Sequence, residues 1–151
     1  MQPLDFLQTA EFLSVKGQRE PDWRSSISRS YYALYWMLSA EILRRISLLL
    51  LQSASLCRKD HMVHERLPIV LKASSDAKVK EFGVDLENLR LARLKADYDL
   101  RCVVSQARAS EEYQNARDLR DEIHNYGIPK LVAILECDLR KVYGGPPSTL
   151  P

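Results

Sequence analysis

Glycine is scarce in this chain, five residues in 151, and clusters of β-branched residues are few. Tight β-turns draw on glycine and strands on Val, Ile and Thr, so a sheet-built domain is not expected. Cysteine is as thin: Cys57, Cys102 and Cys137 are odd in number, far apart and outside any CxxC or paired-histidine spacing. That pattern supports neither a disulfide framework nor a zinc site, and it fits a reducing, cytoplasmic setting. No metal and no other cofactor is expected. Long apolar runs are missing as well. The longest, 46–51, is broken by Ser47 and falls far short of the roughly 18 residues that span a bilayer, so no membrane partner is expected. The acidic N-terminus lacks a signal-peptide pattern. An excess of one charge is absent too: the formal net charge of +2 gives no strong basic field, which leaves nucleic-acid binding to local patches.

What is present is helical patterning. Apolar residues make up 46% of the chain and recur every three or four positions. The expectation is an all-α protein, an up-and-down bundle of four to five helices in one domain over 1–143, with a flexible tail at 144–151, GGPPSTLP. A domain of this size buries roughly 68–70% of its unfolded surface without a covalent staple. The first helix is expected over 5–15, stopping at Gly17, and the second from Pro21 to about Leu50. Residues 52–60 read as a connection. A third helix over 61–72 contains Pro68 and should kink or break there. The fourth is placed over 86–107 after a turn near Gly83. Ser110 would cap a fifth that reaches Asn125, and Pro129 would restart or kink it toward Tyr143.

Two stretches carry residues that a plain bundle does not require. In SSISRSYYALYWM, residues 25–37, one helical face continues the stripe Trp23, Ile27, Tyr31, Leu34, Leu38 and Ile42. The other face holds Ser25, Ser28, Arg29, Tyr32, Trp36 and Ser39. A solvated face seldom carries a Tyr and a Trp beside an Arg, so this helix is read as used on both sides, against a further helix or against a partner or ligand. In LENLRLARLKADYDL, residues 86–100, the stripe Leu86, Leu89, Arg93, Asp97, Leu100 and Val104 places an arginine and an aspartate four apart among apolar residues. Burying either alone costs several kcal/mol, so they should pair. Basic before acidic is the weaker helical order, which makes helix stabilisation a poor reason for the pair. Tyr98 falls about 100° round the helix with Leu91 and Leu94 and reads equally as core.

These residues carry a resemblance. Arg24-x-x-x-Ser28-Arg29-x-Tyr31-Tyr32-Ala33 resembles the RxxxSRxYYA signature of the HEPN superfamily, and Arg93-x-x-Ala96-Asp97-Tyr98 resembles the RxxADY motif of its small, stand-alone branch. Lys59-Asp60-His61 is similar to the K-T-H segment between them. The resemblance implies a dimerising helical bundle, cytoplasmic and typically prokaryotic. It also implies a choice of activities: a metal-independent ribonuclease or toxin of toxin-antitoxin, CRISPR or phage-defence systems, or a non-catalytic partner of minimal nucleotidyltransferases. On this reading Arg93, Asp97, Tyr98 and His61 are the catalytic candidates, and Ser28, Arg29 and Tyr32 the substrate-binding ones.

The chain departs from the nuclease pattern, in which a histidine follows the arginine by four to six residues, because Arg93 is followed by Asp97 and Tyr98 instead. RNA cleavage through the 2′-hydroxyl needs a base, an acid and a cation. Arg93 can supply the cation. Asp97 is a base weakened by pairing with Arg93, and His61 is a candidate for the missing role if the third helix brings it near. A rival lies in RDLRDEIHNY, residues 117–126, where Arg117 and Arg120 precede His124 by seven and four; such a face is also common on any bundle. Three functions therefore stand side by side: a HEPN-type ribonuclease or toxin, a silent HEPN module that binds RNA, nucleotide, a nucleotidyltransferase or an antitoxin, and a purely structural homodimer.

Overall fold

The computed structural model describes residues 3–59 and 61–144. Among them the regular structure is helical apart from one two-stranded hairpin, with no helix long and apolar enough to cross a membrane. The elements are α1 (Pro3–Lys16), α2 (Glu20–Arg45), α3 (Leu48–Ser53), β1 (Cys57–Arg58), β2 (His61–Met62), α4 (Arg66–Lys72), α5 (Ala77–Tyr98), α6 (Gln106–Tyr126) and α7 (Ile128–Tyr143). Of the tail expected at 144–151, all but Gly144 lies outside the described residues.

The α1–α2 corner is closed by Asp22, whose carboxylate accepts from the backbone N–H groups of Gln18 and Arg19 at 3.2 Å each, with Pro21 in the first turn of α2. The second helix stops earlier than expected, at Arg45, because Ser47 starts a new one. Its hydroxyl accepts from the N–H of Leu50 at 3.4 Å, the side-chain competition that makes serine a cap and not a helix interior residue.

Between α3 and α4 the expected helix at 61–72 begins only at Arg66. Residues 57–58 and 61–62 pair antiparallel, Cys57 opposite Met62 and Arg58 opposite His61, around a turn in which Lys59 adopts φ +58°. Pro68 then falls in the first turn of α4, where its missing N–H has no carbonyl to meet, and no break follows.

Gly83 makes no turn. It lies inside α5, which starts at Ala77 behind Asp76, whose carboxylate accepts from the Val79 N–H at 3.0 Å. A Cβ at Gly83 would stand 2.6 Å from the backbone nitrogen of Lys72 and 2.9 Å from the carbonyl carbon of Leu71, so glycine here lets α4 lie directly on α5. The fourth helix also ends sooner than expected, at Tyr98, and Ser105 caps the next one by accepting from Arg108 N–H at 3.2 Å, in place of Ser110. Gly127, at φ +97°, ends α6, and Pro129 opens α7.

α2 is the central helix, packed on α1, α5 and α6. Its inner residues Tyr31, Leu34, Tyr35, Leu38 and Ile42 join Phe82, Leu86 and Leu89 of α5 and Leu119 and Ile123 of α6 in the main core. A smaller cluster of Ile27, Ala92, Ala96, Val104 and Ala109, with Trp23 against it, lies at the α2 N-terminal end. Because the Gly83 contact is backbone on backbone, Gly83→Ala should destabilise by about 1–3 kcal/mol despite alanine's better helix propensity. Thermal unfolding that leaves Tm unchanged or raised would show that α4 is free to move away.

Candidate functional site

The polar residues of the two sequence stretches meet along one seam. Arg24, Ser28 and Tyr32 lie four apart on α2 and so share a stripe, and α5 runs beside it. Arg24 reaches the α5 C-terminus, donating from Nη1 to the carbonyl oxygens of Ala96 at 2.7 Å and Asp99 at 3.2 Å, and from Nη2 to that of Cys102. Its Nε and Nη2 also donate to Glu20 Oε1 at 2.9 and 2.7 Å, and the same oxygen accepts from Val104 N–H at 3.0 Å. That backbone bond and the Arg24 guanidinium hold the Glu20 carboxyl below its usual range. Arg24 thus satisfies carbonyls that the end of α5 and the 99–105 connection leave open, which is structural work.

One turn further, Ser28 donates to Asp97 Oδ2 at 3.3 Å, and beyond it Arg93 donates from Nη2 to the Tyr32 hydroxyl at 2.6 Å. The expected Arg93–Asp97 pair forms, Nε to Oδ2 at 2.7 Å, with side chains 17% and 25% exposed. The contact is short, but the buried Nε–H is not aligned on the carboxylate for a hydrogen bond. The guanidinium carbon lies 5.2 Å from the Tyr32 ring centre and 5.3 Å from that of Tyr98, whose hydroxyl also meets Nη2 at 3.5 Å. Burial works against the Arg93 charge, yet Tyr32, Asp97 and Tyr98 outweigh it and raise the pKa above the ordinary arginine value. Nη1 is not buried and makes no hydrogen bond among the described residues. Tyr98 is not core. It is 69% exposed, because α5 ends there and no helix covers it.

Arg29 is exposed and rests 5.3 Å over the ring of Phe6 on α1, which in turn lies 6.3 Å from Tyr32. Two guanidiniums, Arg29 and Arg93, therefore flank the Phe6–Tyr32 ring pair. Trp36 is 41% exposed and touches Tyr35 edge-on at 5.1 Å, while Ser39, placed with it by helical phase, is buried.

The histidine at this site is His64. His61 is exposed on β2, whereas the His64 ring stacks on Tyr35 at 3.9 Å and 20°, and meets Tyr32 edge-on at 5.6 Å. Its Nδ1 lies 3.5 Å from the Tyr31 hydroxyl, a long hydrogen bond. Tyr35 donates to the Met62 carbonyl at 2.8 Å and so ties the hairpin to α2 two residues before His64. Burial, then the nearby Arg93 charge, lower the His64 pKa against a smaller pull from Glu65. Tyr31, 1% exposed, has its phenol pushed far up by burial and stays protonated.

The rival residues lie elsewhere. Arg120 pairs with Asp121 at 2.6 Å and, with His124, borders a largely apolar cavity of about 530 Å³ against Leu7, Ala33, Leu34 and Met37. Arg117 faces Tyr113 on the same helix and does not line that cavity. Among the described residues no three His, Cys, Asp or Glu side chains converge as metal ligands. The chain matches no family model, no curated protein and no solved structure.

The His64 shift has a stability consequence with a definite sign. A histidine depressed in the fold takes up a proton on unfolding, so its contribution is complete above about pH 6.5 and is lost as pH falls through the native value. Denaturant unfolding at about pH 7.5 and pH 5 should show a larger loss for wild type than for His64→Gln. Equal losses would mean that His64 titrates as a free imidazole.

Proposed function

We propose that the chain is a HEPN-type up-and-down bundle that acts on RNA in the cytoplasm as a metal-independent ribonuclease or toxin, with Arg93 holding the scissile phosphate. One observation carries the reading: the Arg93 guanidinium is fixed between two phenol rings and its Nη1 is left for an anion. Arginine's planar fork suits phosphate, and a half-buried position strengthens that contact relative to water. Tyr98, largely exposed beside it, offers a face on which a base stacks. The Tyr32 and Tyr98 hydroxyls, both on Arg93 Nη2, are proton donors close to where a leaving oxygen would sit.

A second reading has its own support. Asp97 faces Arg93 on one side and accepts from Ser28 on the other, so it orients the cation and is poorly placed to take a proton. A silent module that binds RNA or nucleotide, or docks a nucleotidyltransferase or antitoxin, would need no more than this.

The test is Arg93→Ala in the full chain. Cleavage of a labelled single-stranded RNA should fall by about 10²–10³, with the circular dichroism spectrum unchanged. Retained cleavage would remove Arg93 from the site, and a loss that follows His124→Ala instead would move the site to α6. Binding of the same RNA that persists in wild type without cleavage would select the silent module.

The proposal includes a homodimer whose two-fold axis runs past Arg29 and Trp36, the exposed members of the expected patch, while Ser28 and Tyr32 are turned to α5 of their own copy. Trp36 supplies exposed aromatic area for that contact, and Arg29 lies on Phe6 at its edge. Trp36→Glu should yield a folded monomer in sedimentation experiments. A wild-type monomer at micromolar concentration, or an unaltered dimer for Trp36→Glu, rules this interface out.

A further inference from the structure

We infer that His64 is the proton acceptor for the ribose 2′-hydroxyl at the Arg93 site, and that Tyr35 is the residue that positions it; the inference rests on the ribonuclease reading above. His64 and Arg93 lie against the same ring. The imidazole meets Tyr32 edge-on at 5.6 Å, and the Arg93 guanidinium carbon is 5.2 Å from that ring's centre. On this inference a phosphate held by Arg93 places its neighbouring ribose across the Tyr32 ring, on the side of the histidine. The side chain is half-buried and reachable, and Nε2 has no hydrogen-bond partner among the described residues, since only Nδ1 is engaged.

The orientation of the ring is set from α2. Tyr35 stacks on one face of the imidazole at 3.9 Å, and its hydroxyl is anchored on the Met62 carbonyl, so platform and hairpin move together. The Tyr31 hydroxyl lies 3.5 Å from Nδ1 and can donate to it or accept from it; with Nδ1–H donating to the Tyr31 oxygen, the lone pair of the neutral ring lies on Nε2. The groups facing His64 are Tyr31, Tyr32, Tyr35 and Trp36 of α2, Glu65 beside it, and Arg93 of α5. Only Glu65 favours the protonated ring, and burial and Arg93 outweigh it, so the acceptor form prevails near neutral pH.

The step balances. The 2′-O–H bond breaks and its proton goes to the His64 imidazole. The oxygen's electron pair forms a bond to phosphorus, the bond from phosphorus to the 5′-oxygen breaks, and that oxygen takes a proton from the Tyr32 or Tyr98 hydroxyl, which water restores. The products are a 2′,3′-cyclic phosphate and a 5′-hydroxyl.

The experiment uses the full chain, a labelled mixed-sequence single-stranded RNA, and the DNA oligonucleotide of the same sequence, which has no 2′-hydroxyl. His64→Gln should lower kcat by about 10²–10⁴, abolish the acid limb of the kcat/KM pH profile, and leave DNA binding within about twofold. Tyr35→Phe keeps the stacked ring and loses the Met62 anchor. It should lower kcat by about tenfold to a hundredfold while the acid limb stays. Wild-type cleavage with an unchanged rate and pH profile in His64→Gln would overturn the inference and leave the ribonuclease reading standing. DNA and RNA binding without cleavage by wild type would overturn the ribonuclease reading, and this inference with it.

Discussion

A guanidinium placed between two helices is the constraint from which the site follows. Taking the Arg93 charge partly out of water costs several kcal/mol unless polar groups surround it, and the surroundings come from both helices: Tyr32 from α2, Asp97 and Tyr98 from α5. The seam reads in opposite directions along the two helices. Arg24 meets the carbonyls of Ala96 and Asp99, Ser28 meets Asp97, and Tyr32 meets Arg93, a register that only an antiparallel pair satisfies. A slip by one turn would leave a carboxylate, a guanidinium and a set of helix-end carbonyls without partners at once. The seam therefore specifies how α2 and α5 pack, and the small side chains beneath it, Ala92 and Ala96, let the helices come close.

Arg93 and Asp97 were legible in the sequence because charge interrupted an apolar stripe, and Tyr32 because an aromatic sat on the polar side of a helix. What escaped was set by contacts that carry no periodic signal. Gly83 reads as a turn from composition alone, whereas its role is to let the backbone of α4 touch α5. Ser105 and Ser110 are equally good caps on paper. The earlier one wins because the chain must leave α5 at Tyr98, where Arg24 gathers its carbonyls. His64 was hidden for a similar reason. A two-residue hairpin shows no alternation to detect, and without it residues 61–72 look like one helix in which His61 and His64 are merely neighbours.

The net charge of +2 conceals how the cations are distributed. Arg44 and Arg45 share Glu41, Arg90 pairs with Glu87, Arg140 with Glu136, and Lys78 bridges Glu81 and Glu122. Such surface pairs contribute about 0–1 kcal/mol each and screen their own fields. Arg29 and Arg93 differ, since aromatic rings lie against both and Arg29 has no ion pair among the described residues. These two guanidiniums therefore stand beside aromatic faces against a nearly neutral background, an arrangement that favours local contact with an anion over long-range attraction.

The double use of α2 follows from one phase relation. Tyr31 and Tyr35, four apart, point into the core and toward His64, while Arg24, Ser28 and Tyr32, also four apart, point to α5. The two stripes are neighbours on the helix surface, since successive residues differ by about 100°. Tyr32 closes the gap between them because its ring touches His64 on one side and Arg93 on the other. The paired tyrosines at 31 and 32 thus join a core that orients a histidine to a seam that orients an arginine. Inserting one residue between Tyr31 and Tyr32 would turn one stripe by about 100° against the other, so that core and seam could no longer form together.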